Sequence, residues 1–236
     1  MKKKKDNLNS FLEVKNQTST SADLYFYGDI VSSWWGAWDD TDQYPEKVKN
    51  FLDDVKDKEL NIYVNSGGGS VFAGMAIYNM LKRHQGHKTV YVDGLAGSIA
   101  SVIALAGDKV IIPSNAYMMI HKPWTFTYGN ATELRDQADV LDTIEVGIMN
   151  VYQENLKDGV DIETIKELVN NETWLTGDEA SNYFSIDVSN SVDAVACVSD
   201  YYLNCNKVPK NIINKEIDNK ENKNEKDKLL LELELI

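Results

Sequence analysis

Leu60 to Gly107 reads LNIYVNSGGGSVFAGMAIYNMLKRHQGHKTVYVDGLAGSIASVIALAG. It contains one unit twice. Leu60–Val64 (LNIYV) reads as a short buried strand, Asn65–Gly69 (NSGGG) as a sharp turn, and Val71–His84 as a helix closed by Gly86. Thr89–Val92 is then a strand, Asp93–Gly97 a turn of small residues, and Ser98–Ala106 a helix ended by Gly107. Strand, turn and helix repeated in this way predict βαβ units around a mainly parallel sheet, with right-handed crossovers.

Outward from this repeat, Leu24–Ile30 (LYFYGDI) reads as a first strand, and Trp34, Trp35 and Trp38 follow in a turn-rich stretch. These tryptophans read either as packing over the core edge or as a sticky surface. Tyr44–Val55 has helical spacing, and Lys109–Ile112 and Ala116–His121 read as two more strands. Asn130–Leu156 predicts a long charged helix with an apolar stripe at Leu134, Ala138, Leu141, Ile144 (or Glu145) and Ile148. Asp161–Val169 predicts a short helix, Thr176 to Glu179 a capping box, and Val192–Val198 a last strand. The expected organisation is a flexible segment over 1–22, a folded domain over 23–204 and a polar, disordered tail over 205–236. Within that tail, Asn206–Lys228 is nearly all Lys, Asn, Glu and Asp, and only Leu229–Ile236 (LLLELELI) turns apolar again.

The 236 residues, 43% of them hydrophobic, suffice for one domain with a real core. A formal net charge of −13 argues against nucleic acid or an anionic membrane as partner, because phosphate would be repelled. The basic run Lys2–Lys5 has no apolar segment behind it, so it reads as a solvated terminus rather than a signal. No segment approaches the ~18 apolar residues of a membrane span. Cys197 and Cys205 do not make a disulfide scaffold, which fits a reducing cytoplasm. The three histidines lack zinc-site spacing, so no metal or other cofactor is expected.

Ligands of open α/β sheets bind where strands run into helices. In NSGGGS (Asn65–Ser70) three glycines let backbone N–H groups approach a negative charge. No lysine follows, so the loop is not a Walker phosphate loop, whereas an oxyanion hole needs no basic side chain. In the second turn Ser98 follows Gly97 where strand becomes helix, the place of a nucleophile elbow, with the Ile99 N–H free to face a developing oxyanion. From this turn alone Ser98 reads first as a helix cap and only second as a nucleophile. Ser101 is a rival one turn on, but among Ala100, Val102 and Ala104 it reads as a packing residue. Of the bases, His84 ends a helix beside Lys82 and Arg83, and His87 sits in a loop. His121 ends an apolar strand, where the sheet can hold it beside the Ser98 turn.

Four blocks, NSGGGSVFAGMAIYNML, GLAGSIASVIALAG, MMIHKP and TWLTGDEA, stand in the order and spacing of the ClpP serine peptidases, which the chain resembles over Leu24–Val188. Within that family it most resembles the head maturation proteases of tailed phages and prophages, on the strength of WWG (Trp34–Gly36), GMAIYNMLKRH and HKPWTFTYGNA. The resemblance implies a ClpP/crotonase-like α/β fold with the long helix as a protruding handle. It implies Ser98 as nucleophile and His121 as base, with Gly69 and Ile99 N–H groups as the oxyanion hole. Gly68, Ser70 and Val71, with Lys122, Pro123, Trp124 and Thr125, would hold the substrate as an added strand. The third triad position falls on Glu172, where the family usually has Asp; Asp178 is a weaker alternative. Gly67 replaces the proline of the housekeeping enzyme's turn, and the N-terminal segment lacks the look of its axial loop. The implied partners are copies of the chain in a ring, of seven subunits in the family, and capsid or scaffold polypeptides cut during prohead assembly. The alternatives are a housekeeping peptidase fed by a Clp ATPase, and a catalytically silent shell component. The implied location is the bacterial host cytoplasm or the prohead.

Overall fold

A computed structural model describes residues 17–37, 41–191 and Lys207. The expected strand at Val192–Val198, Trp38, both cysteines and the termini lie outside the described residues.

Five strands run side by side in the order β1 (Ser21–Phe26), β2 (Glu59–Ser66), β3 (Lys88–Gly97), β4 (Lys109–Pro113) and β7 (Asp187–Ser189), all parallel. Between them come helices α1 (Pro45–Val55), α2 (Val71–Arg83) and α3 (Ile99–Ala104). The βαβ repeat read in the sequence is therefore present. β1 begins three residues before the expected Leu24, because Ser21 and Ala22 already pair with Glu59 and Leu60. Polar Ser21 carried no strand signal of its own.

β3 is the pivot. Its first part, Thr89–Tyr91, pairs with β4; its last part, Leu95–Gly97, pairs with β5 (Tyr117–Ile120). One strand thus serves two neighbours in turn, and the second ladder sets Gly97 opposite Met119. β5 pairs in turn with β6 (Thr173–Thr176), antiparallel. Neither β6 nor β7 was legible as a strand. Each has only three or four residues, too few for periodicity to register.

Alternation along β2 and β3 sends Leu60, Ile62, Val64, Val90 and Val92 into the core, against Ile77 and Leu81 of α2 and Val102 and Ile103 of α3. The opposite face is not fully buried, as LNIYV had suggested. Tyr25, Tyr63 and Tyr91 lie in register across β1, β2 and β3 and stack with centroids 4.7 and 5.3 Å apart. Tyrosine suits this face, with an apolar ring against its neighbours and a hydroxyl left to water.

The long helix is α4 (Ala131–Glu154), capped by Asn130 and Glu133 as a full capping box. Only its last third is packed: Glu145, Ile148, Val151 and Tyr152 are buried, while Leu134 is exposed and Leu141 is only partly covered. The apolar stripe read in the sequence exists, but among the described residues nothing covers its first turns. α5 (Ile162–Asn170) and α6 (Gly177–Ala180) complete the fold, and the Thr176–Glu179 capping box is present. Trp34 and Trp35 are exposed and stack on each other at 4.0 Å, so this pair does not pack over the core edge.

Candidate active site

Both candidate turns leave the same edge of the sheet, from neighbouring strands. In the first, Gly68 has φ +104° and Gly69 φ +143°. A Cβ on Gly68 would lie 2.7 Å from the Gly97 oxygen and 2.8 Å from Ser98 Cβ, so the glycine turn presses directly against the second turn. The Ile30 N–H donates to Gly68 O at 2.8 Å, and the Ser70 N–H donates to Ile30 O at 2.7 Å. That ladder turns Gly69's own N–H away from Ile30.

In the second turn, Ser98 itself has a positive φ (+52°, ψ −126°). For a residue with a Cβ this conformation costs about 1–3 kcal/mol and persists only where its surroundings enforce it. The enforcing bond is visible: the Ser98 N–H donates to Met119 O at 2.8 Å, continuing the β3–β5 ladder past Gly97. The Ser98 side chain makes no helix-cap hydrogen bond. Its Oγ instead lies 2.8 Å from His121 Nε2. The same ladder explains the meeting, because His121 follows two residues after Met119.

Burial holds the His121 imidazole below its ordinary pKa, and the Glu172 carboxylate pulls the other way with a smaller effect. The ring is thus neutral at neutral pH, as a proton acceptor must be. Glu172 has φ +47°, in the turn between α5 and β6, and its Oε1 accepts the Lys207 N–H at 2.6 Å. Asp178 is an exposed residue of α6. Among the described residues the N–H groups of Gly69 and Ile99 have no protein acceptor. An apolar pocket opens beside Ser98 and His121, walled by Val71, Val102, Ile148 and Tyr152.

The remaining predicted residues surround this centre. The Ser70 hydroxyl caps α2, accepting the Ala73 N–H at 3.5 Å. Lys122 makes an ion pair with Glu145 of α4 at 3.1 Å, and Trp124 and Thr125 are exposed on a segment without regular structure. His84 bonds through Nε2 to Lys58 O at 2.7 Å, and His87 lies 3.7 Å from Asp108. Ser101 packs as expected, fully buried, and its hydroxyl donates to Ser98 O at 2.6 Å. The sequence reading passed over Tyr152, whose hydroxyl lies 2.8 Å from Ser101 Oγ. The signal was available: a tyrosine four residues after Ile148, on the apolar stripe, must find a partner for its hydroxyl.

The Clp protease family pattern matches residues 47–188, more than half of the chain. The chain belongs to the Clp protease family. It is therefore a serine-type endopeptidase of that family. It is 35% identical over 141 residues to the ATP-dependent Clp protease proteolytic subunit of Ligilactobacillus salivarius, covering 58% of this chain and 70% of that relative. Against the ATP-dependent Clp protease proteolytic subunit 1 of Salinibacter ruber it is 28% identical over 131 residues, covering 54% of this chain and 55% of the relative. A mutant of ClpP1 from Listeria monocytogenes superposes with a TM-score of 0.59 at 23% identity, covering 74% of this chain and 94% of that one. That likeness shows the ClpP-like α/β fold. No described helix of this Clp protease chain is long and apolar enough to cross a membrane.

Proposed function

We propose that the chain cleaves polypeptides through an acyl-enzyme on Ser98, with His121 as base and Glu172 as the acid that orients it. One observation carries this: the Ser98 Oγ lies 2.8 Å from a neutral, partly buried imidazole, on a strained turn that a mere helix cap would not need. Nε2 of His121 takes the hydroxyl proton as Oγ attacks the scissile carbonyl. The carbonyl oxygen becomes an oxyanion facing the Gly69 and Ile99 N–H groups. The imidazolium then protonates the leaving amine, and the bond to it breaks. Water, deprotonated by the same imidazole, releases the acyl group. The Glu172 charge stabilises the imidazolium formed in each half-reaction. Gly68, Ser70 and Val71 on one side, with Lys122, Pro123, Trp124 and Thr125 on the other, flank an extended substrate that adds as a strand.

The names of the relatives, ATP-dependent Clp protease proteolytic subunits, support the proteolytic partner of a Clp ATPase better than a phage capsid protease. Processing of capsid or scaffold proteins rests on the resemblance of a few sequence blocks alone. The uncovered apolar turns of α4 support self-assembly, and a ring of seven is the family's implied form. A fluorophosphonate probe tests the enzyme reading. Ser98 should be labelled, and labelling should be lost in Ser98→Ala and slowed in His121→Ala. An unlabelled Ser98 in assembled protein refutes the reading and favours a silent shell component. Stimulated turnover of a folded substrate by a Clp ATPase separates the housekeeping role from the capsid role.

A further inference from the structure

We infer that Tyr152 and Ser101 form a positioning pair that locks the peptide plane between Ser98 and Ile99, so that the Ile99 N–H stays aimed at the oxyanion. The inference rests on the proposed catalytic role of Ser98 and deepens it.

The Ser98 C=O and the Ile99 N–H belong to one planar trans peptide unit and point in opposite directions. Whatever anchors the carbonyl therefore aims the N–H. Two donors hold the carbonyl: the Ser101 N–H at 3.0 Å and the Ser101 hydroxyl at 2.6 Å. A serine hydroxyl has a single proton. With that proton on Ser98 O, the Ser101 oxygen accepts from the Tyr152 phenol, 2.8 Å away. The direction of the whole chain is thus fixed, from Tyr152 to Ser101 to Ser98 O. Burial raises the Tyr152 pKa, which keeps the phenol protonated as the chain requires. The ring itself is held, with 1% exposure and Phe184 tilted against it at 5.7 Å.

The lock has something to oppose. Ser98 is strained at φ +52°, and rotation of the peptide plane that follows it is the simplest way to relax. α3 is only six residues long, and its one backbone bond to Ser98 O is of the tighter i to i+3 type. The Ser101 hydroxyl adds a second anchor on the carbonyl, and the buried Tyr152 hydroxyl backs it from a different element, α4. Rotation would break both bonds to the carbonyl and leave the Ser101 hydroxyl proton without its acceptor.

The test is a double-mutant cycle on the full-length, assembled protein. Fluorogenic-peptide kcat and KM are read beside the melting temperature. Tyr152→Phe should lower kcat about tenfold with KM within about twofold. Ser101→Ala should do the same and also melt lower, because it strands the buried phenol. The double variant removes both polar groups together. Its melting temperature should recover toward wild type, while kcat stays at the single-variant level. That split between recovered stability and unrecovered kcat is what a merely structural hydrogen bond would not produce. A wild-type kcat in either single variant, losses that multiply in the double variant, or a kcat that recovers with the melting temperature would each overturn the inference. Ser98→Ala assayed alongside keeps the two claims apart. If it still hydrolyses peptide, the nucleophile assignment fails; if it is inactive while Tyr152→Phe and Ser101→Ala are unimpaired, only the lock fails.

Discussion

Two turns of one sheet edge reach positive φ by opposite means. The Asn65–Ser70 turn does it with glycine, at Gly68 and Gly69; the junction of β3 and α3 does it with a serine, Ser98. The first offers only backbone N–H groups, so nothing is lost by omitting a Cβ. The second must present a hydroxyl, so it keeps its Cβ and accepts the strain. That strain is opposed by the Met119 carbonyl on one side and the Ser101 hydroxyl on the other. The difference lies in what each turn can spare: the first needs no side chain at Gly68 or Gly69, whereas the second holds the Ser98 Oγ 2.8 Å from His121 Nε2.

The comparison breaks most visibly if the side chain at 98 is dispensable. Ser98→Ala and Ser98→Gly should each lower peptide kcat by roughly 10⁴-fold or more, measured with a fluorogenic peptide. Between the two, the glycine variant should be the more stable in chemical denaturation by about 1 kcal/mol, since both lose the hydroxyl and only alanine keeps a Cβ at φ +52°. Equal stability would mean that the turn is unstrained.

The glycine turn should fail in the other direction. A Cβ on Gly69 would meet Ile30 O at 2.2 Å. Gly69→Ala should therefore destabilise the protein by about 2–4 kcal/mol and reduce kcat at least ~100-fold, although no side chain of the reaction is touched.

Glu172→Gln gives a smaller and more particular effect. The carboxylate raises the His121 pKa against the larger lowering by burial. Removing the charge lowers that pKa further. The acid limb of the kcat/KM profile should then move to lower pH while the plateau falls by about 10–100-fold. An acid limb that moves up, or does not move, would show that Glu172 does not act on His121. Smallest of all, Lys49→Met should change kcat and KM by no more than about twofold, because its ion pair with Asp53 on α1 is exposed on both sides and lies outside the site.

The parts legible in sequence were those with local signals. Glycine runs, capping residues and the apolar run Met118–Ile120 placed the Asn65–Gly69 turn, α2, α4 and β5 within a residue or two of where they stand, whereas Asp93–Gly97, read as a turn, is the second half of β3, because Leu95–Gly97 pair with β5. The forking of β3 was not legible, because nothing in Lys88–Gly97 tells which residues pair with β4 and which with β5. Yet that fork is what brings His121 to Ser98. The Ser101–Tyr152 contact was hidden for a similar reason: 51 residues separate its partners, and only the packing of α4 joins them. Glu172 came through the resemblance alone. Its positive φ and the pull of its carboxylate on His121 depend on the short turn from α5 into β6, which leaves no periodic trace.

The most direct test of the central claim is a crystal structure of the protein reacted with a fluorophosphonate. The expected result is a covalent bond from phosphorus to Ser98 Oγ, with a phosphoryl oxygen within about 2.7–3.1 Å of both the Gly69 and Ile99 nitrogens. Phosphorus on any other residue, or a phosphoryl oxygen pointing into solvent away from those two nitrogens, would contradict it.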